Sequence, residues 1–242
     1  MRRAFRILKG VGCVSLLALA LVPEASGRPL ERFSFGASPA QAGQPLTLTF
    51  SLGSTVEDEF DRFGIDLPAG TVWNGRDFPR CTFGAMTEGL SRPGPICPAR
   101  TRAGSGKATV VYPLDGGDQY VEHARITVVN GGTALHLIWR SRSDMPDGTT
   151  LRRTILWRGR PDEQGHVTAW VAVSSSLGLP GQKLRLKRVD LKIAKSRGGH
   201  GIFEIDRCRN HRWRATGWMT FVDDEGSPLE PASATDATRC DP

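Results

Sequence analysis

Cationic side chains are the residues best placed to do chemistry in this 242-residue sequence. Lys183, Arg185 and Lys187 alternate with Leu184 and Leu186, which puts three charges on one face of a strand. Arg188, Lys192, Lys195 and Arg197 follow at once. Arg152 and Arg153, with Arg158 and Arg160, lie on a second expected strand, and Arg207, Arg209, Arg212 and Arg214 crowd a third region. If these strands are neighbours they build a positive sheet face that would attract an anionic wall polymer, polysaccharide or other extracellular polyanion. The plainer alternative is a solubilising face whose lysines discourage sheet-to-sheet pairing. Few aromatics accompany the charges apart from Trp157, Trp213 and Trp218, so a stacking platform for specific nucleic-acid recognition is not indicated.

Catalytic patterns are harder to find. Gly104-Ser105-Gly106 lacks the Gly-x-Ser-x-Gly frame of a nucleophile elbow. With Lys107 it resembles half of a phosphate loop, but it precedes a strand and so meets no helix dipole. No His-Glu-x-x-His occurs, and His123, His136, His166, His200 and His211 are scattered, although His123 and His136 flank one expected hairpin. Asp144-Met145-Pro146-Asp147-Gly148 looks like a calcium turn without the spacing or terminal glutamate of an EF-hand loop. Glu57, Asp58, Glu59 and Asp61 are dense enough to read as a solvated acidic turn, and Asp66 and Glu122 read as wet-face strand residues. Neither a metal site nor a cofactor is expected. A non-catalytic binding protein is the first reading, and a secreted hydrolase acting on carbohydrate or ester, with its site in the long loops, is the second.

The location of the protein follows from residues 1–27. A basic start (Arg2, Arg3, Arg6, Lys9), an apolar run from Val11 to Val22, and small residues at Ala25 and Gly27 have the form of a cleavable export signal. The apolar run is shorter than the roughly 20 residues a spanning helix needs, so no transmembrane segment is expected after cleavage. Removal of residues 1–27 would leave 215 residues and lower the net charge from +7 to +4, since four basic side chains and one acidic one depart. It would also remove Cys13 and leave an even set of cysteines: Cys81, Cys97, Cys208 and Cys240. In an exported chain that composition suggests disulfides. Three pairings are possible; Cys81–Cys97 and Cys208–Cys240 are favoured because each brackets a polar, turn-rich segment. The protein is expected in the cell envelope or outside the cell.

The elements that must position these groups are strands. Leu46-Thr47-Leu48-Thr49-Phe50-Ser51-Leu52 alternates apolar and hydroxyl residues without a break. Phe63, Ile65 and Leu67 repeat the pattern, as do Ala124, Ile126 and Val128, then Leu135, Leu137 and Trp139 across an Asn130-Gly131-Gly132 turn. In residues 183–193 the apolar set switches from even (Leu184, Leu186) to odd (Val189, Leu191, Ile193), which predicts a β-bulge at Lys187-Arg188. Trp213, Ala215, Met219 and Phe221 make a last strand, followed by a polar tail held mainly by Cys240. About ten strands result. The expected class is all-β, an antiparallel β-sandwich of which an immunoglobulin-like version is one form, occupying residues 28–242 with a weak boundary near 104–117. The loop of residues 68–106 is long and rich in proline and glycine, and the first disulfide would pin it.

The segments Leu67-Pro68-Ala69-Gly70, Asn74, Phe78-Pro79-Arg80-Cys81, Cys97-Pro98 and Gly104-Ser105-Gly106-Lys107-Ala108 resemble a group of exported actinobacterial β-rich proteins. The late Cys208, Trp213, Cys240 arrangement fits the same group. This resemblance also implies a local Cys81–Cys97 bond; it implies no activity, ligand or catalytic residue.

Overall fold

A computed structural model describes residues 28–67, 70–90, 96–114, 117–144, 150–161, 167–170, 184–208 and 211–241, with the backbone alone described at 28–29, 87–90, 141–144, 150–161 and 167–170. The expected export signal, Lys183, and the turns after Asp144 and Pro161 therefore lie outside the described residues.

In chain order the elements are β1 (Arg28–Pro29), β2 (Arg32–Ser38), β3 (Thr47–Gly53), β4 (Glu59–Asp66), β5 (Thr71–Trp73), α1 (Phe83–Leu90), β6 (Arg102–Pro113), β7 (Gln119–Asn130), β8 (Leu135–Asp144) and β9 (Thr150–Pro161). They continue with β10 (Val167–Trp170), β11 (Arg185–Ala194), β12 (Ser196–Arg197), β13 (His200–Gly201), β14 (Phe203–Ile205), β15 (Arg212–Val222) and β16 (Ala232–Arg239). Eight strands form one sheet in the order β10-β9-β8-β7-β6-β11-β3-β2, and four form another in the order β1-β16-β15-β4. β12 pairs with β13 and β14 with β5. The pairing is antiparallel throughout these ladders except for the two-residue contact of β1 with β16. The chain is all-β in class.

Alternation builds the core. Leu48 and Leu52 of β3, Val189, Leu191 and Ile193 of β11, Ala108 and Val110 of β6, and Ile126 and Val128 of β7 are all buried on one face of the larger sheet. Phe60, Phe63 and Ile65 of β4 and Trp213, Ala215, Met219 and Phe221 of β15 are buried on one face of the smaller. Both sets belong to a single apolar cluster. Phe35 of β2 and Trp213 meet across it with ring centroids 5.3 Å apart. Each buried side chain of this size contributes about 1.5–3 kcal/mol against exposure. The edges are managed too: the Phe35 N–H at edge strand β2 donates to Asp236 Oδ2 of β16 at 2.9 Å, which occupies a group that could otherwise template another strand.

The register shift in β11 lies between Leu186 and Arg188 against β6, where the switch of apolar parity predicts it. Lys187 is the extra residue, and Leu186 and Val189 both stay buried. Gly104, Ser105 and Gly106, which read as punctuation, run inside β6 instead. A Cβ on Gly104 would lie 2.2 Å from the Lys192 carbonyl oxygen, and one on Gly106 would lie 2.3 Å from that of Asp190. These glycines are there because the β11 backbone passes close by.

The stretch expected as one long loop over residues 68–106 holds β5, α1 and the start of β6, and its described part is pinned. Cys81 and Cys97 are bonded with Cα atoms 5.9 Å apart, and Cys208 and Cys240 likewise at 5.9 Å. Loops of this length stabilise by about 3–4 kcal/mol each in the chain-entropy account. Fully buried Asn130, at the end of β7, donates through Nδ2 to the carbonyls of Gly75 (2.7 Å), Phe78 (3.3 Å) and Pro79 (3.2 Å). Its Oδ1 accepts the Gly132 N–H at 2.9 Å and its backbone carbonyl accepts the Cys81 N–H at 2.8 Å. A second small core of Cys81, Met86, Ile96, Cys97, Val129 and Ile138 forms where α1 and the disulfide cover one end of the larger sheet's outer face.

Three sequence expectations are corrected. The tail is not merely polar: residues 232–239 form β16, whose Ala232 is buried while Ser233, Thr235 and Ala237 are exposed. β2 and α1 had no counterpart in the apolar pattern. Glu122 is not on a wet face. It is 1 % exposed, on the inner face of β7, where the Trp139 Nε1–H donates to Oε1 at 3.4 Å and Oε2 has no partner among the described residues. Among the described residues no helix is long and apolar enough to cross a membrane.

Candidate functional site

The outer face of the eight-stranded sheet is laid out by register. One row runs Ser34 (β2), Ser51 (β3), Asp190 (β11), Lys107 (β6), Arg125 (β7), Arg140 (β8), each opposite the next. The neighbouring row runs Gly36, Thr49, Lys192, Ser105, Thr127, Ile138 across the same strands. Because Ala108, Ala124 and Trp139 point into the core, their neighbours Lys107, Arg125 and Arg140 must point out, and all three are exposed. Strands in a sheet are about 4.7–4.9 Å apart, so three cations are stacked side by side at that spacing. Asp190 stands opposite Lys107, but both of its carboxylate oxygens are held by Arg188 Nε at 2.9 and 2.8 Å. Lys107, Arg125, Arg140 and Lys192 have no acidic partner among the described residues.

A shallow groove of about 500 Å³ opens at one end of this row, floored by small residues, Ser34, Ser51, Ser105 and Gly106, and flanked by Lys107 and Lys192. Toward the other end lies a smaller cavity of about 230 Å³ beside the Cys81–Cys97 bond. Val129, Ile138 and Ile96 form its apolar floor and Arg102 and Arg140 stand at its rim. Lys195 is held nearby: its Nζ donates to the carbonyls of Arg100 (2.6 Å) and Arg102 (2.9 Å), and burial pushes its pKa below the ordinary lysine value.

The cations expected from sequence behave differently. Arg185 and Lys187 do share a strand, but Glu57 bonds both, with Lys187 Nζ at 3.1 Å from Oε1. The hydrogen bond from Lys187, with the charges of Lys187 and Arg185, holds the Glu57 carboxyl below its usual range against the opposing effect of burial. Arg188 is raised above its ordinary value by its hydrogen bond to Asp190 and that carboxylate's charge. Arg185 and Lys187 thus share one carboxylate, supplied by the supposed acidic turn, and Arg188 has a second in Asp190. Arg152 and Arg153 hold consecutive register positions in β9, opposite Arg142 and Ser141; their side chains, like Lys183, lie outside the described residues.

Sequence reading missed Lys107, Arg125 and Arg140 because they come from three different strands. The signal that could have found them is that each interrupts an apolar alternation at an outward position, next to Ala108, Ala124 and Trp139.

Carboxylates do not converge in these cavities. The two on the larger sheet contain only Asp190, which Arg188 engages, and a third cavity on the smaller sheet contains only Asp236, which Phe35 engages. A glycosidase needs a pair. Among the described residues no group of three or more metal-ligating side chains occurs. Comparison with known proteins finds no matching family model, curated protein or solved structure.

Proposed function

We propose that this protein is an exported, disulfide-stapled β-sandwich that holds a linear anionic polymer of the cell envelope against the outer face of its larger sheet. One observation carries the reading: Lys107, Arg125 and Arg140 are directly opposed on adjacent strands, exposed and without acidic partners among the described residues. Like charges so placed destabilise a sheet, and a bound polyanion would reverse the sign of that contribution. The groove at one end of the row is lined by hydroxyl-bearing side chains that can donate to anionic oxygens. The single shared core between two sheets supports the sandwich arrangement, and two disulfides suit an oxidising compartment. The hydrolase reading gains no support from the three cavities described.

Heparin-affinity chromatography across a salt gradient tests it. Wild type should be retained, and K107A/R125A/R140A should elute at lower salt, its log–log salt slope reduced by about 2 for three lost contacts. K187A should change little, because Glu57 already occupies that side chain. Unchanged elution of the triple variant would refute the assignment of the face.

A further inference from the structure

A second group of exposed cations sits on the smaller sheet. Arg212 of β15 and Arg239 of β16 are directly opposite, and Arg214 lies two residues along β15 on the same face. All three are exposed, while Trp213 and Ala215 on either side of Arg214, and Cys240 beside Arg239, are buried. None has an acidic partner among the described residues. They border an open cavity of about 800 Å³ with His211 at its edge. Its one carboxylate, Asp236, is spent on backbone: Oδ2 accepts the Phe35 N–H at 2.9 Å and Oδ1 the Ala237 N–H at 2.8 Å. The rim is built to hold its shape. His211 is the one described non-glycine residue with positive φ, 52°, a strained conformation. Its carbonyl accepts the Cys240 N–H at 3.2 Å, and Cys240 is bonded to Cys208.

Buried residues of both sheets belong to one core, and in the sandwich proposed above the two outer faces point to opposite sides of the molecule. We propose that the Arg212, Arg214, Arg239 cluster is a second binding site, for the phosphate or sulfate groups of a polyanion, and that the protein thereby bridges two polymer chains. Guanidinium forks match such tetrahedral anions with paired donors. The bridging part rests on the reading of the larger sheet given above.

The test is a stoichiometric titration of a fluorescent short-chain polyphosphate, followed by anisotropy, with light scattering of long-chain heparin as the second readout. Wild type should bind two short chains and raise heparin scattering, with the rise reversing at excess heparin. R212A/R214A/R239A and K107A/R125A/R140A should each bind one and cross-link none, at unchanged circular dichroism. R212Q/R214Q/R239Q replaces the alanine variant if that one misfolds. One chain per protein, lost only in K107A/R125A/R140A, overturns this proposal and leaves the larger face standing. One chain lost only in R212A/R214A/R239A supports the arginine site and removes the larger face. No binding overturns both.

Discussion

Reversing the charge of Arg125 should stabilise the fold while weakening polyanion binding. Arg125 stands between Lys107 and Arg140, directly opposite both. Two charges roughly 6 Å apart in water interact by about 0.7 kcal/mol, and screening near 0.1 M salt roughly halves that. In R125E two repulsive pairs become two attractive ones, a change of about 0.7 kcal/mol per pair and about 1.5 in all near 0.1 M salt, and somewhat more at 20 mM. Measured exposed pairs fall at or below this scale, so a gain of about 1 kcal/mol is expected, equivalent to about 2–4 °C in Tm for a chain of this size. R125A, which only removes repulsion, should gain about half. Thermal unfolding by circular dichroism at 20 mM and 1 M salt is the assay, with heparin retention measured on the same samples. The gain should vanish at 1 M salt. A variant that is less stable at low salt, or equally shifted at both, would refute the idea that the row stores repulsion.

Other perturbations probe the framework. N130A should cost about 2–4 kcal/mol in urea unfolding, because it leaves the buried carbonyls of residues 75–79 without their donor. G64V should cost about 1–3 kcal/mol, since a Cβ there would lie 2.1 Å from Trp218 Cζ2 and displace the indole; a melting temperature equal to wild type would show that the indole moves freely. Glu57 has a pKa lowered in the fold, so its contribution is present above the ordinary carboxylate range and is lost as pH falls through the lowered value. E57Q should therefore flatten that acid limb of the Tm–pH curve. The effect should stay under about 1 kcal/mol because Glu57 is 62 % exposed.

What the sequence disclosed was local. β3 is legible because Leu46, Leu48 and Leu52 alternate with hydroxyls and are buried. The bulge is legible because parity changes within one strand, and the disulfides because only four cysteines lie beyond the signal-like segment. β16 is not, since Ala-Ser-Ala-Thr-Asp-Ala-Thr-Arg carries almost no apolar contrast and is ordered by its ladder with β15. Glu122 sits in an alternation that would bury it if polarity were ignored, and burial wins because Ala124, Ile126 and Val128 fix the face. The cationic row is invisible for a third reason. It exists only once β6, β7 and β8 are in register, and Lys107, Arg125 and Arg140 are no closer in sequence than 15 residues.

Residue 187 illustrates how a strand can hold one residue too many without changing faces. Its side chain reaches Glu57 at the surface, so many amino acids should serve there. The bulge absorbs the extra residue, which is why Leu184 and Leu186 share a buried face with Val189, Leu191 and Ile193. Without residue 187 the strand would read Leu-Arg-Leu-Arg-Val-Asp-Leu-Lys-Ile, an unbroken alternation, and Leu186 and Arg188 already face consecutive β6 residues, Val110 and Thr109. A deep-mutational library covering insertions and deletions should therefore find deletion of residue 187 tolerated, and deletion of Asp190 not, because there the loss of one residue turns part of the apolar set outward.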